Sequence, residues 1–163
     1  MLVLHTVDNY PGVVLSLGSN IGDRKNNLKN ALIELEKISE VKLISSVYES
    51  EALLVNDQRN FYNMVVEINY LNTALDLLRG IKFIEKKLGR QKSIRYGPRL
   101  IDIDIIFFKG ESVSLDELTI PHYDWRNRLF VIEPLSEIID ISELSYLDIN
   151  DQKVEKKGNI SYK

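Results

Sequence analysis

The chain has 163 residues, 44% hydrophobic and 28% charged, the balance of one globular domain large enough to bury its own core. It contains no cysteine, which excludes disulfides, thiolate metal sites and a cysteine nucleophile and fits a reducing cytoplasm. A net charge of −3 excludes a general nucleic-acid binder, and no apolar run approaches the ~20 residues of a membrane span.

Residues 1–12 lack the basic start and long apolar run of a signal peptide and read as a tail or an extra strand. Residues 13–17 (VVLSL) read as a first buried strand, closed by Gly18-Ser19-Asn20. Leu28, Ala31, Leu32, Leu35 and Ile38 then recur at helical spacing, predicting a helix capped between Asn20 and Asp23 and ending near Ser39. Residues 41–48 are β-rich and predict a strand, 49–60 a polar loop, and 61–70 a further strand. Thr73 with Asp76 resembles a capping box, and Ala74, Leu77, Ile81, Ile84 and Leu88 give the stripe of a second helix that Gly89 stops. A basic loop leads into the apolar run 100–108, which ends at the turn Lys109-Gly110-Glu111. The expected division is one domain over 13–147 and a polar tail over 148–163.

The order β-α-β-β-α-β predicts a ferredoxin-like α+β sandwich. Its two helices lie on one face of a mainly antiparallel sheet, with short extra elements near the C-terminus. The step between the second and third strands is too short for a crossover, so those two should be antiparallel neighbours.

Asp102 and Asp104 stand two apart in the most apolar run of the chain. On a strand they project from one face. Two carboxylates about 5 Å apart repel by about 3 kcal/mol at an effective dielectric near 20, so they call for a cation between them. Leu100, Ile106 and Phe108 share their parity, so the face is expected to be otherwise apolar, where a charge needs a partner. Oxygen ligands of this kind suit Mg²⁺ shared with substrate phosphates. Upstream, Arg90, Lys92, Arg95 and Arg99 form a cationic, Gly- and Pro-containing loop able to hold a polyphosphate. Gly18-Ser19-Asn20 is neither a P-loop nor a dinucleotide fingerprint; it reads as a plain turn or as a strand-to-helix junction whose backbone N–H groups can meet an anion or polar ligand. Phe61 and Asn63 share a strand face, a flat surface beside an amide that suits a planar heterocycle. His122, Tyr123, Arg126 and Arg128 gather donors and cations after Pro121. Glu85 sits at the edge of the second helix's stripe and reads equally well as a salt-bridged structural residue.

Leu17-Gly18-Ser19-Asn20, Phe61-Tyr62-Asn63, Leu88-Gly89-Arg90, Tyr96-Gly97-Pro98-Arg99, Asp102-x-Asp104 and Ile120-Pro121-His122 together resemble the 6-hydroxymethyl-7,8-dihydropterin pyrophosphokinase family, over about residues 13–139. The resemblance implies an enzyme of folate biosynthesis that moves pyrophosphate from its co-substrate ATP to the pterin hydroxymethyl group. It implies two Mg²⁺ ions on Asp102 and Asp104, and catalytic cations at Arg90, Lys92 and Arg99. ATP contacts are implied at Glu85, Arg99, Ile105 (through its backbone), Thr119, His122, Tyr123 and Arg128. Pterin contacts are implied at Gly18, Ser50, Leu53, Phe61, Asn63, Tyr96 and Phe130, with Phe61 and Phe130 as the sandwiching rings. A cytoplasmic monomer is expected, possible associates being neighbouring folate enzymes. Lys92 stands where the family often has Arg, Tyr96 where Trp is common, and Ser50-Glu51-Ala52 where a proline is frequent. Phe61 stands for a frequent Tyr and keeps the stacking face. The rival readings are an Asp-x-Asp nucleotide-sugar transferase and a non-catalytic nucleotide-binding module of the same fold.

Overall fold

A computed structural model describes residues 7–51, 58–89, 99–142 and 151–163. Strand β1 (Val13–Ser19) is followed by helix α1 (Arg24–Leu35), then β2 (Glu40–Ile44), β3 (Val47–Ser50) and β4 (Phe61–Asn69). Helix α2 (Ala74–Lys87) leads to β5 (Asp102–Phe108), the hairpin β6 (Val113–Leu115) and β7 (Leu118–Ile120), helix α3 (Leu129–Leu135) and β8 (Val154–Gly158). The main sheet runs β5-β1-β4-β3-β8, with β2 also on β4, and every pairing is antiparallel. Helices α1 and α2 cover one face, so the expected sandwich is present.

On that face Leu28, Leu32 and Leu35 of α1 and Leu77, Ile81 and Ile84 of α2 meet Leu15, Leu17, Met64, Val66, Ile103 and Ile105 from the central strands. Alternation puts Val14 and Val65 on the opposite face, where Trp125, Val131, Ile132 and Leu135 cover them. Each helix begins as its sequence directs. The Asp23 side chain accepts the Asn26 N–H, and the Thr73 hydroxyl accepts the Asp76 N–H. Helix α1 ends at Leu35 rather than near Ser39, because Lys37 and Ile38 donate to the carbonyls of Glu34 and Leu35 in tighter, three-residue turns.

Further expectations change. The strand expected over 41–48 is two strands, broken at Ser45-Ser46, since Glu137 takes the Ser46 N–H at 3.0 Å and its hydroxyl at 3.0 Å. The apolar strand carries a bulge: Val14 faces Phe107 and Leu15 faces Ile105, leaving Ile106 as the extra residue. Phe108 is thereby carried to the helix-covered face, and Leu100, ahead of the strand, packs against the same core, so neither shares a face with Asp102 and Asp104 as parity predicts. Ile106 and Phe107 stay on the opposite face.

The expected polar tail supplies β8, which pairs with β3, while Ile160 is 5% exposed within the helix-side core. Lysines and a glutamate on this outer strand discourage further edge pairing. At the other terminus Val7–Asn9 forms one 3-10 turn rather than a strand. It is held by Asp8, whose two oxygens accept from Arg126 at 2.7 and 2.8 Å, and by Val7, buried in the core cluster that also contains Trp125.

Candidate active site

One cross-strand row defines the site. Tyr48 faces Asn63, Asn63 faces Gly18, and Gly18 faces Asp102, so four neighbouring strands contribute to one line across the sheet. One step along, Ser50 faces Phe61, and on the other side Ser16 faces Asp104. Paired residues point to the same face, so Ser50, Phe61, Asn63, Gly18, Asp102 and Asp104 all lie on the face opposite α1 and α2. At a strand spacing of about 4.8 Å, Asn63 and Asp102 stand about 10 Å apart with only Gly18 between them. A Cβ on Gly18 would lie 3.3 Å from Asn63 Oδ1 and 3.5 Å from the Phe61 ring. The bare glycine therefore leaves the floor of the row open.

On the apolar side of this floor, Asn63 is 3% exposed and donates through Nδ2 to Ser50 Oγ at 2.8 Å and to the Tyr48 carbonyl at 3.3 Å. These bonds fix the amide plane and turn its oxygen towards Gly18. Phe61 is half-buried beside it.

On the acidic side, Asp102 and Asp104 are half-buried on β5, an edge strand of the sheet. The edge is covered rather than open. Glu85 from α2 accepts the Ile103 N–H at 3.0 Å, and the His122 N–H donates to the Ile106 carbonyl at 3.0 Å. The second bond carries the segment after β7 back over the strand, bringing His122 Nε2 to 4.0 Å and Arg128 Nη1 to 3.9 Å from Asp104 Oδ2. Arg128 is itself held by Asp124, with Nε 3.2 Å from Oδ2. Phe130, on the first turn of α3, is half-buried with the Arg128 guanidinium 5.6 Å above its ring.

His122 is nearly buried, and burial pushes its pKa down to about 4, helped by the positive charge of Arg128 and opposed by Asp124 and Asp102. It is thus neutral at pH 7. Its Nδ1 accepts the Asp124 N–H at 3.1 Å, so the proton sits on Nε2 and is offered towards Asp104. Its ring stacks on Tyr123, centroids 4.9 Å apart, leaving Tyr123 65% exposed at the rim.

Thr119 is exposed on β7, opposite Ser114. The Ile105 side chain is buried among the helix-side core, so only its backbone can meet a ligand. Arg99 is half-buried just ahead of β5. Leu53, Arg90, Lys92 and Tyr96 lie outside the described residues. Among the described residues, no group of three or more His, Asp or Glu side chains could hold a metal. The acidic pair is a two-carboxylate site, a donor set that suits an ion completing its sphere with water and phosphate oxygens. No helix among the described residues is long and apolar enough to cross a membrane.

Asn20 is legible in the sequence as part of a turn, a candidate helix cap and one residue of a motif, but without its partners. It is 3% exposed and bonded to two distant segments, Gln58-Arg59 and Arg99. A buried asparagine directly after a strand was the available signal, but its partners lie 38 to 79 positions away.

Known proteins resemble this chain. The family model for 7,8-dihydro-6-hydroxymethylpterin-pyrophosphokinase matches residues 14–140. A 2-amino-4-hydroxy-6-hydroxymethyldihydropteridine pyrophosphokinase of Bacillus subtilis is 40% identical over 126 residues, covering 76% of this chain and 75% of that protein. Its namesake from Aquifex aeolicus is 41% identical, covering 77% and 79%. The bifunctional protein FolKE of Lactococcus lactis is 41% identical over 128 residues, which are 77% of this chain but only 37% of that protein. A crystal structure of Plasmodium falciparum HPPK-DHPS, wild type with pteroate, superposes with a TM-score of 0.59 at 20% identity. That match covers 74% of this chain and 37% of the other, and it bears on the fold alone. The matched segment holds every motif of the row and of its cover, and the chain belongs to the 7,8-dihydro-6-hydroxymethylpterin-pyrophosphokinase family.

Proposed function

We propose that this protein transfers the β,γ-pyrophosphoryl group of ATP to the hydroxymethyl oxygen of 6-hydroxymethyl-7,8-dihydropterin, releasing AMP. The observation that carries this reading is the row Asn63–Gly18–Asp102, which aligns a heterocycle-reading amide with a carboxylate across an open floor. The pterin lies over Gly18, its edge read by Asn63 and Ser50 and its rings between Phe61 and Phe130; the family resemblance adds Leu53 and Tyr96 to its contacts. Two Mg²⁺ ions bound by Asp102 and Asp104 would supply charge neutralisation for the phosphates and the attacking oxygen.

The remaining work falls to the chain's own cations and donors. Arg99, Arg128, Arg90 and Lys92 hold phosphate oxygens, and the Nε2–H of neutral His122 donates without adding charge. Thr119, Tyr123 and the Ile105 backbone border the nucleoside. Glu85 acts on the nucleotide side by holding β5 in place. The pterin oxygen forms a bond to the β-phosphorus as the bond from that phosphorus to the oxygen on the α-phosphate breaks. The hydroxyl proton leaves to solvent and AMP departs.

The catalytic residues lie within 13–147, and the protein acts as a monomer in the cytoplasm. Purified protein given Mg²⁺ and ATP should release AMP only when the pterin is added. ADP as product, or AMP release independent of pterin, would contradict the proposal.

A further inference from the structure

Asn20 makes four hydrogen bonds to three residues, and together they join the two sides of the site. Its backbone N–H donates to the Arg99 carbonyl at 3.0 Å, and its Oδ1 accepts the Arg99 N–H at 2.7 Å. This pair ties the chain just after β1 to the chain just ahead of β5, one residue out of the β1–β5 register, in which Asn20 would face Leu100. Its Nδ2 donates to Gln58 Oε1 at 2.9 Å and to the Arg59 carbonyl at 3.2 Å, just ahead of Phe61. Because a backbone N–H only donates and a carbonyl only accepts, the amide can take only this orientation.

We propose that Asn20 is a positioning residue, rather than a plain turn, that sets the spacing between the nucleotide side and the pterin side of the site. Its oxygen fixes Arg99 three residues before Asp102, and its nitrogen fixes the entry to β4 two residues before Phe61. Asparagine suits this position because one short, rigid group both accepts and donates. Aspartate would keep the bond from the Arg99 N–H but would set a negative charge against the Arg59 carbonyl. The inference rests on the pyrophosphokinase reading for the identity of the two ligands.

The two halves of the amide make a separable test. Binding of a non-hydrolysable ATP analogue with Mg²⁺ and of the pterin would be measured by calorimetry for native protein, Asn20→Asp, Asn20→Ala and Gln58→Ala. Thermal melts would confirm that each variant is folded at the working temperature. Losing a buried hydrogen bond near a ligand weakens binding about tenfold. Asn20→Asp should weaken the pterin by about that factor while holding the nucleotide within about threefold. Asn20→Ala should weaken both, and Gln58→Ala should weaken the pterin alone.

A merely structural role would lower melting temperature without this split. Native affinities in folded Asn20→Asp, or equal losses for both ligands, would overturn the inference. If Asn20→Ala does not fold, the Asn20→Asp and Gln58→Ala pair still decides it. Native protein that binds neither ligand would overturn the pyrophosphokinase reading itself, and this inference with it.

Discussion

Glu85 Oε2 accepts the Ile103 N–H at 3.0 Å, so a carboxylate only 2% exposed on α2 holds the edge strand midway between Asp102 and Asp104. Its other oxygen lies 3.6 Å from Lys82 Nζ. Removing the acceptor leaves a buried N–H without its partner, a loss of about 1–3 kcal/mol. Glu85→Ala should lose about that much stability in denaturant melts, and its turnover should fall because both aspartates lose their support. Glu85→Gln, which keeps an acceptor oxygen, should retain most of both. Equal behaviour of the two variants would show that the bond does not position the strand.

Gly18→Ala isolates the pterin side. The added Cβ would sit 3.3 Å from Asn63 Oδ1, tight enough that the amide must shift. Alanine in a strand carries a smaller backbone entropy loss than glycine, so stability should change little. The Michaelis constant for the pterin should rise by about tenfold, the effect of one disturbed hydrogen bond, while that for ATP stays near native. Unchanged pterin kinetics would remove Gly18 from the floor of the site.

His122 links the site to pH. Its folded pKa, about 4, lies below the ordinary value of 6.5, so the folded state binds the proton less readily than the unfolded state. Its contribution to stability is therefore complete above about pH 6.5 and is lost as pH falls towards 4. In metal- and nucleotide-free protein, native His122 should show a steeper fall in melting temperature across that window than His122→Asn, whose amide oxygen can still accept the Asp124 N–H. Parallel curves for the two proteins would contradict a neutral, buried imidazole.

The C-terminal segment should matter for stability. Ile160 is 5% exposed in the main core, and truncating a buried isoleucine to alanine costs about 2–5 kcal/mol. Ile160→Ala should fall in that range by chemical denaturation. A change within about 0.5 kcal/mol, as for an exposed tail, would contradict the docking of the segment seen here.

The sequence was most legible where neighbours decide the structure. Helical periodicity placed α1 and α2, and the Thr73 cap and the glycine at 89 are local signals that the structure follows. The face shared by Asp102 and Asp104 was read correctly from strand geometry, as was that of Phe61 and Asn63. What stayed hidden depends on partners far along the chain. The bulge at Ile106 exists only in the pairing with Val14 and Leu15, so parity alone misplaced Phe108. Ser45-Ser46 breaks a β-rich run because Glu137, 91 positions away from Ser46, takes its N–H. Burial pushes the Glu137 carboxyl up, but donors from Tyr48 and Ser46 outweigh it and hold the group below the usual carboxylate range. Strand β8 looks like a solvated tail because an outer strand rich in lysine buries little of itself.

The most direct test of the account is the pair of products formed by native protein, Asp102→Asn and Asp104→Asn under saturating Mg²⁺, ATP and pterin. Native protein should yield AMP and pterin diphosphate in equal amounts. Each variant should stay folded, with its like-charge repulsion relieved, and should lose turnover by at least about 100-fold, since several kcal/mol of charge stabilisation disappear. Native-like formation of pterin diphosphate by either folded variant would contradict the assignment of these two carboxylates as the centre of the reaction.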